Sequence, residues 1–334
     1  MTRALAMISG GLDSILAAKL IKEQGIDVIG ICFKSYFFSE ESAIKMTKQI
    51  DIPLVVVDFS KEHFKLVRNP KHGRGKNMNP CIDCHAMMMN YAGELLKQYD
   101  ADFIITGEVL NQRPMSQNRQ ALDIVKKESG FAAKILRPLC AQNLQPTQME
   151  LDGLVDREKL LNISGRSRKP QMALAEQWNI TEYPSPAGGC RLTEPGYALR
   201  LKDLLDNEES VDEENVNEDE LSLLRYGRHF RTKNGNKIIV ARTKEEGDAI
   251  KGFINKEYYS FHPSKFSGAL VVMTGKNISE DIELAARLAV KYSKGKNEEK
   301  VSVRYGVYGE RHNTEIEVSS ISDNEIEEIL INNK

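Results

Sequence analysis

Two groups of residues in this chain have types and spacings suited to chemistry. The first is the hexapeptide Ser9-Gly10-Gly11-Leu12-Asp13-Ser14. Paired glycines permit a tight turn with backbone N–H groups pointing inward, and a helix starting directly afterwards adds partial positive charge, so the segment makes a cradle for an anion. Ser9 and Ser14 add hydroxyl donors, and Asp13 can orient the site or a magnesium ion. A ligand-free strand-to-helix turn is the plain alternative, and the full six-residue string in that context argues against it.

The second group is Pro80-Cys81-Ile82-Asp83-Cys84-His85 together with Cys190, far along the chain in Ala187-Gly188-Gly189-Cys190. Cysteines three apart lie on one face of a helical turn and can aim both sulfurs at one centre. Alone, the pair suits a zinc half-site, a redox dithiol or half of an iron–sulfur site. With Cys190 there are three thiolates, which leave one iron of a [4Fe–4S] cube open to hold and deliver a sulfide. Zinc, the lesser alternative, wants a fourth ligand in a closed site, and His85 can supply it. Cys32 and Cys140 sit in apolar surroundings and read as small buried hydrophobes.

These residues need elements to hold them. Ala4–Ile8, Val28–Phe33, Leu54–Phe59 and Phe103–Thr106 are short apolar runs that read as strands, separated by helical patterns over Ser14–Gln24, Ser39–Ile50 and Cys81–Tyr99. Such alternation is the signature of β-α-β units with a parallel sheet, which puts the hexapeptide between the first strand and the first helix. Met87, Met88, Tyr91, Leu95 and Leu96 read as the inward face of the third helix. The turn-rich stretch from Tyr183 to Cys190 is a shaped loop, and a helix over Arg168–Gln177 precedes it. Beyond an acidic run, Lys237–Ala241, Ala269–Met273 and Lys300–Arg304 read as strands and Ser279–Ser293 as a helix. The predicted architecture is α/β, a Rossmann-like parallel sheet over residues 1–205, an acidic linker at 206–220, and a smaller α+β domain at 221–334.

A chain of 334 residues suits two such domains. Its composition is that of a folded globular protein, with no apolar run long enough to span a bilayer, so the predicted location is cytoplasmic. Five cysteines do not make a disulfide framework. The net charge of −2 argues against a nucleic-acid binder until it is divided: Asp206–Glu220 holds nine acids and no base, and the rest of the chain is basic. Basic residues gather near the candidate sites: Lys71, His72, Arg74 and Lys76 before the cysteine pair, Arg113 and Arg119 after Gly107, and Arg166, Arg168 and Lys169, with Arg191 beside Cys190. Each alone reads as solvated surface; as a set they favour contact with phosphates.

The hexapeptide lacks the Gly-Lys-Ser/Thr ending of a Walker loop and resembles the PP-loop of the ATP pyrophosphatases, over about residues 1–200. That resemblance implies a Rossmann-like sheet, ATP cleavage between the α- and β-phosphates, and AMP transfer to a carbonyl oxygen. It also implies adenine binding near Phe33 and Lys34 and near Thr106-Gly107-Glu108. With Asn79-Pro80-Cys81-Ile82-Asp83-Cys84 and the later Gly-Gly-Cys, the chain is similar to the tRNA-thiolating branch, in which a uridine carbonyl is adenylated, sulfur attacks and AMP leaves. The implied cofactors and partners are ATP, Mg2+, tRNA, and sulfide or a cysteine-desulfurase-derived sulfur donor. A familiar version of that branch uses two separated cysteines, one carrying a persulfide; the extra cysteine of the pair departs from it and resembles cluster-dependent members, and both sulfur chemistries stay open.

Residues 221–320 resemble the RNA-binding domain of NFACT-type proteins in Tyr226-Gly227-Arg228-His229, in Phe266-Ser267-Gly268 before a strand, and in the helix from Ala285-Ala286 to Tyr292-Ser293. Phe261-His262-Pro263 belongs to the same resemblance, and the acidic-aromatic pair expected before His262 is replaced by Tyr258-Tyr259-Ser260. A dimerisation module, giving a homodimer, is the competing reading. An appended RNA-binding domain suits shape recognition of the tRNA body, which favours C4 over C2 of uridine as the thiolated carbon. The rivals for the whole chain are a PP-loop ligase or amidotransferase acting on a small molecule, and a non-catalytic RNA-binding factor.

Overall fold

The computed structural model describes residues 1–185, 189–207 and 216–331. Pro186, Ala187 and Gly188 of the predicted loop and residues 208–215 of the predicted linker lie outside them. The chain divides into two compact units, Met1–Glu194 and Pro195–Lys334.

The first unit is built on five parallel strands: β1 (Arg3–Met7), β2 (Asp27–Lys34), β3 (Leu54–Asp58), β4 (Phe103–Thr106) and β5 (Ile135–Leu136), in the order β3-β2-β1-β4-β5. Side chains alternate across a strand, so β1 feeds two cores. Ala4 and Ala6 join Ile15, Leu16 and Ile21 of α1 (Leu12–Lys22) on one face; Leu5 joins Phe33, Met89, Leu96 and Ile104 on the other. That second face is covered by α4 (Cys81–Gln98) and α5 (Arg119–Glu128). The remaining helices are α2 (Glu41–Gln49), α3 (Ser60–Arg68), α6 (Gln148–Leu151) and α7 (Lys169–Gln177). The chain runs outward to β2 on one side of β1 and returns to β4 on the other. The carboxyl ends of β1 and β4 therefore meet at a topological switch point, where open α/β sheets bind ligands.

The second unit opens with α8 (Pro195–Asn207) and α9 (Glu218–Leu223) and carries a six-stranded antiparallel sheet, with α10 (Lys244–Lys251), α11 (Ile278–Lys291) and α12 (Asp323–Ile329). Its strands are β6 (Arg228–Arg231), β7 (Lys237–Val240), β8 (Tyr259–Pro263), β9 (Val271–Thr274), β10 (Val301–Val307) and β11 (Thr314–Val318), ordered β11-β10-β8-β9-β7-β6. Ala285, Ala286, Leu288 and Ala289 of α11 pack on Phe230, Phe261, Val271 and Met273. Asp281, buried in the first turn of α11, is satisfied by Thr232 Oγ1 at 2.6 Å, Asn236 Nδ2 at 2.6 Å and Asn234 Nδ2 at 3.0 Å.

The sequence places the domain boundary at 205, whereas the units meet at Glu194 and Pro195. α8 is anchored in its own unit: Tyr197 Oη donates to Leu221 O, and Arg231 Nη2 pairs with Asp203 at 2.7 Å. The predicted linker also overlaps regular structure, since α8 runs to Asn207 and α9 starts at Glu218. Among the described residues no helix is long and apolar enough to cross a membrane.

Candidate active site

At the switch point the hexapeptide closes the gap between β1 and α1. Gly10 has φ +77°, and a Cβ there would stand 2.5 Å from Ser42 Cβ and 2.7 Å from Ala43 N, so glycine is required on two counts. Gly11 is the extended N-cap of α1, and Ser14 Oγ donates to Gly11 O at 2.8 Å. Ser9 Oγ lies 3.4 Å from Ser14 Oγ. Gly107, just after β4, lets that loop press on the helix start: a Cβ would lie 2.5 Å from Ser14 N.

Asp13 is held by an amide relay. Gln171, fully buried on α7, donates to Gln112 Oε1 at 2.8 Å, and Gln112 Nε2 donates to Asp13 Oδ2 at 2.6 Å. The other oxygen, Oδ1, is buried with no hydrogen-bond partner among the described residues and stands 3.9 Å from Arg168 Nη2. A buried carboxylate oxygen left bare beside a phosphate cradle fits a divalent cation.

The hexapeptide, Ser42, Gly107, Gln112 and Arg168 open onto one cavity of about 680 Å³, within the usual range for ligand sites. Ser9 to Ser14, Phe33, Gly107, Cys81, Cys84 and Cys190 all line it. Lys34 is not among the lining residues; its Nζ faces Asp58 at 3.9 Å. Of the basic set, Arg113, Arg166 and Arg168 reach the cavity. Arg74 instead donates to Val67 O and Arg68 O at the end of α3, Lys71 pairs with Glu128, and Arg119 donates to Asn143 O.

The cysteine pair starts α4, directly after Pro80. Asn79 Nδ2 donates to Cys81 Sγ at 3.1 Å, and Asp83 faces away to accept from His72 N and to pair with His72 Nδ1 at 2.6 Å. Cys190 is brought in by a short turn pinned through Arg191 N to Phe37 O and Asn77 Nδ2 to Thr193 O. Burial, then the nearby Cys190 and Cys81 sulfurs, raises the Cys84 thiol well above its ordinary value; burial pushes Cys190 up to about 12. Both are therefore protonated at neutral pH, and a cationic centre is what would deprotonate them. Among the described residues, no group of three His, Cys, Asp or Glu side chains is arranged to hold a metal ion. The three sulfurs share a cavity without forming a closed ligand set.

Several residues of the site have roles that the sequence does not reveal. Glu108 is buried, and burial alone would raise its pKa; Arg137 Nε on Oε2 at 2.8 Å and His85 Nδ1 on Oε1 at 2.9 Å outweigh this and hold it at about 2. His85, the candidate fourth zinc ligand, thus has one ring nitrogen committed to Glu108. Gln112, Gln117, Ser42 and His63 also line the cavity. Nothing local marks a glutamine as a relay or a histidine as a wall, since both roles come from tertiary packing.

Residues 1–145 match the family described as "Thiamine biosynthesis protein (ThiI)". That match lies within the first unit and supports a PP-loop domain there. Residues 227–330 match the family described as "NFACT protein RNA binding domain", so the second unit carries a domain of that kind. Among curated proteins, the chain is 27% identical over 181 residues to the tRNA-specific 2-thiouridylase MnmA of Karelsulcia muelleri (strain GWSS), covering 48% of each chain. It is 34% identical over 121 residues to the enzyme of that name from Bacillus licheniformis, covering 32% of each. The chain spans about half the length, or less, of these relatives. A crystal structure of a 4-thiouridine synthetase–RNA complex with bound ATP is similar at 16% identity and a TM-score of 0.35, over 54% of this chain and 52% of that one. At that score the likeness carries no argument.

Proposed function

We propose that the protein is an ATP-dependent tRNA uridine sulfurtransferase acting in the cytoplasm. The observation that carries this reading is that the PP-loop cradle and the three cysteines Cys81, Cys84 and Cys190 open onto one cavity, in a chain that also carries an RNA-binding type of domain. In this reading the loop N–H groups and Ser14 hold the triphosphate, and Asp13 Oδ1 takes Mg2+. The uridine carbonyl oxygen attacks the α-phosphorus and pyrophosphate leaves; a sulfide nucleophile then adds to the activated carbon and the carbon–oxygen bond to AMP breaks. No net oxidation or reduction occurs. Arg113, Arg166 and Arg168 steer phosphates into the cavity. In this reading Cys81, Cys84 and Cys190, which share the cavity, would hold a [4Fe–4S] cluster as its three thiolate ligands, and their sulfurs would have to close up from an arrangement that is not a ligand set. C4 of uridine is the favoured target, and the 2-thiouridylase relatives make C2 the specific alternative.

The test is nucleoside analysis of tRNA incubated anaerobically with the protein, ATP, Mg2+ and sulfide. The expected product is 4-thiouridine, formed only with ATP. Formation of 2-thiouridine would move the target to C2, and pyrophosphate release on a small-molecule acceptor with no thionucleoside would replace this reading by the ligase one.

A further inference from the structure

One residue lining the cavity carries a polar group that adenylation and sulfur transfer leave unused. His63, on α3, is fully buried and lines the cavity together with Phe33 and Phe38. Its ring stacks on Phe59, 4.9 Å between centroids and 9° from parallel, and meets Phe37 and Phe38 at 5.6 and 5.3 Å. Nδ1 lies 2.7 Å from Ser35 Oγ, while Nε2 is buried with no hydrogen-bond partner among the described residues. Burial pushes this histidine down to about 4, so the ring is neutral.

Which nitrogen carries the proton follows from Ser35. Its buried Oγ already accepts from Phe37 N at 3.4 Å, and its single hydrogen has His63 Nδ1 as the acceptor at hand. The reverse arrangement would strand that hydrogen in the interior. Ser35 therefore donates to Nδ1, and the proton of the imidazole sits on Nε2. A buried N–H without an acceptor is costly, and one on a residue that lines a cavity suits a ligand that brings the acceptor.

We propose that His63 Nε2–H reads the base of the nucleotide, donating to a ring nitrogen of adenine. Phe33 and Phe38, which line the cavity beside His63, suit a flat base rather than phosphate, and adenine has only ring nitrogens as base acceptors. Ser35 acts through His63 as a positioning residue that fixes the tautomer. This inference rests on the reading that the cavity binds ATP.

The test is equilibrium binding of ATP and of 1-deaza-, 3-deaza- and 7-deaza-ATP to the full chain, without tRNA, for the parent, His63→Phe, Ser35→Ala and Ser14→Ala proteins. His63→Phe is expected to weaken ATP binding about tenfold, the worth of one hydrogen bond. One deaza analogue is expected to bind the parent about tenfold more weakly than ATP does and to show no further loss in His63→Phe. Ser35→Ala is expected to show the same pattern with a smaller loss, and it carries the test if His63→Phe does not fold. Unchanged ATP affinity in both variants, or an equal loss for all three analogues, overturns the proposal, the latter by reducing His63 to packing. So does ATP binding that is intact alongside lost thiolation, which would move the contact to the RNA. If Ser14→Ala binds ATP like the parent, the nucleotide reading itself has failed; if Ser14→Ala weakens binding and His63→Phe does not, only this inference has.

Discussion

The two functional groups that share the cavity, the loop and the cysteines, are built by different means. At the loop the backbone does the positioning: Gly10 at φ +77°, the extended Gly11 cap and the press of Gly107 on Ser14 fix the cradle before any ligand arrives. The cysteines are side chains from distant segments, two from the start of α4 and one from a turn more than a hundred residues later, and their thiols are not arranged as a metal site. Backbone geometry is inherited by every loop of that sequence, whereas a three-sulfur set has to be assembled. The comparison implies that damage at the loop abolishes every step, and damage at the cysteines spares adenylation.

The sharpest way to break that contrast is at Gly107. A methyl group there would lie 2.5 Å from Ser14 N, a backbone atom fixed in the start of α1. Gly107→Ala is expected to lower tRNA-stimulated pyrophosphate release on the order of a thousandfold, the scale of losing a preorganised anion site. Thiolation should fall with it; parental pyrophosphate release would show that the cradle is not where ATP reacts.

Among the cysteines, Cys84→Ala and Cys190→Ala are each expected to cut thionucleoside formation on the order of a hundredfold while pyrophosphate release continues. Cys140→Ala, whose sulfur is buried outside the cavity, should keep both activities. Iron and sulfide analysis of anaerobically purified protein decides the cofactor. Iron lost in the Cys81, Cys84 and Cys190 variants alone supports the cluster; full activity without metal, or stoichiometric zinc, sinks it.

A smaller effect is expected from the second unit. A protein ending at Glu194 should bind tRNA about tenfold more weakly, with a shallower dependence of log affinity on log salt, since every phosphate no longer neutralised takes about 0.7–0.9 off the slope. An unchanged slope would assign the second unit to assembly rather than RNA binding.

How much of this was legible in the sequence follows the same division. β1, the PP-loop and α1 are local: an apolar run, a glycine turn and a helical period stand within twenty residues, and their predicted and observed limits agree to within two. β5 is two residues long and α3 shows only Phe64 and Val67 as buried apolar residues, too little pattern to mark either. The boundary at 205 followed the charge run, yet charge marks where a chain is solvated, not where packing changes hands. Tyr197, Leu201 and Leu204 carry α8 into its own unit. Arg74 shows the same limit: near the cysteines in sequence, it spends its guanidinium on the end of α3.

The burial of His63 carries one further consequence, of stability rather than activity. In the folded chain burial holds this histidine at about 4, whereas an unfolded one titrates near 6.5. Between those values the unfolded chain binds the extra proton, so stability rises with pH there. The neutral ring's contribution is fully present above about 6.5 and is lost as the pH falls towards 4, below which both states are protonated. From pH 7 to 5.5 this one group should remove about 1 kcal/mol, by the usual 1.36 kcal/mol per pKa unit. His229, buried and held well below its ordinary value chiefly by desolvation, acts in the same direction, so the parent protein should show both losses. Thermal or urea melts at pH 7 and 5.5, on parent and His63→Phe, isolate the first. The substitution is expected to flatten the pH dependence by about that amount, with His229 left to account for the remainder, and identical slopes in the two proteins would show that His63 takes up its proton without unfolding.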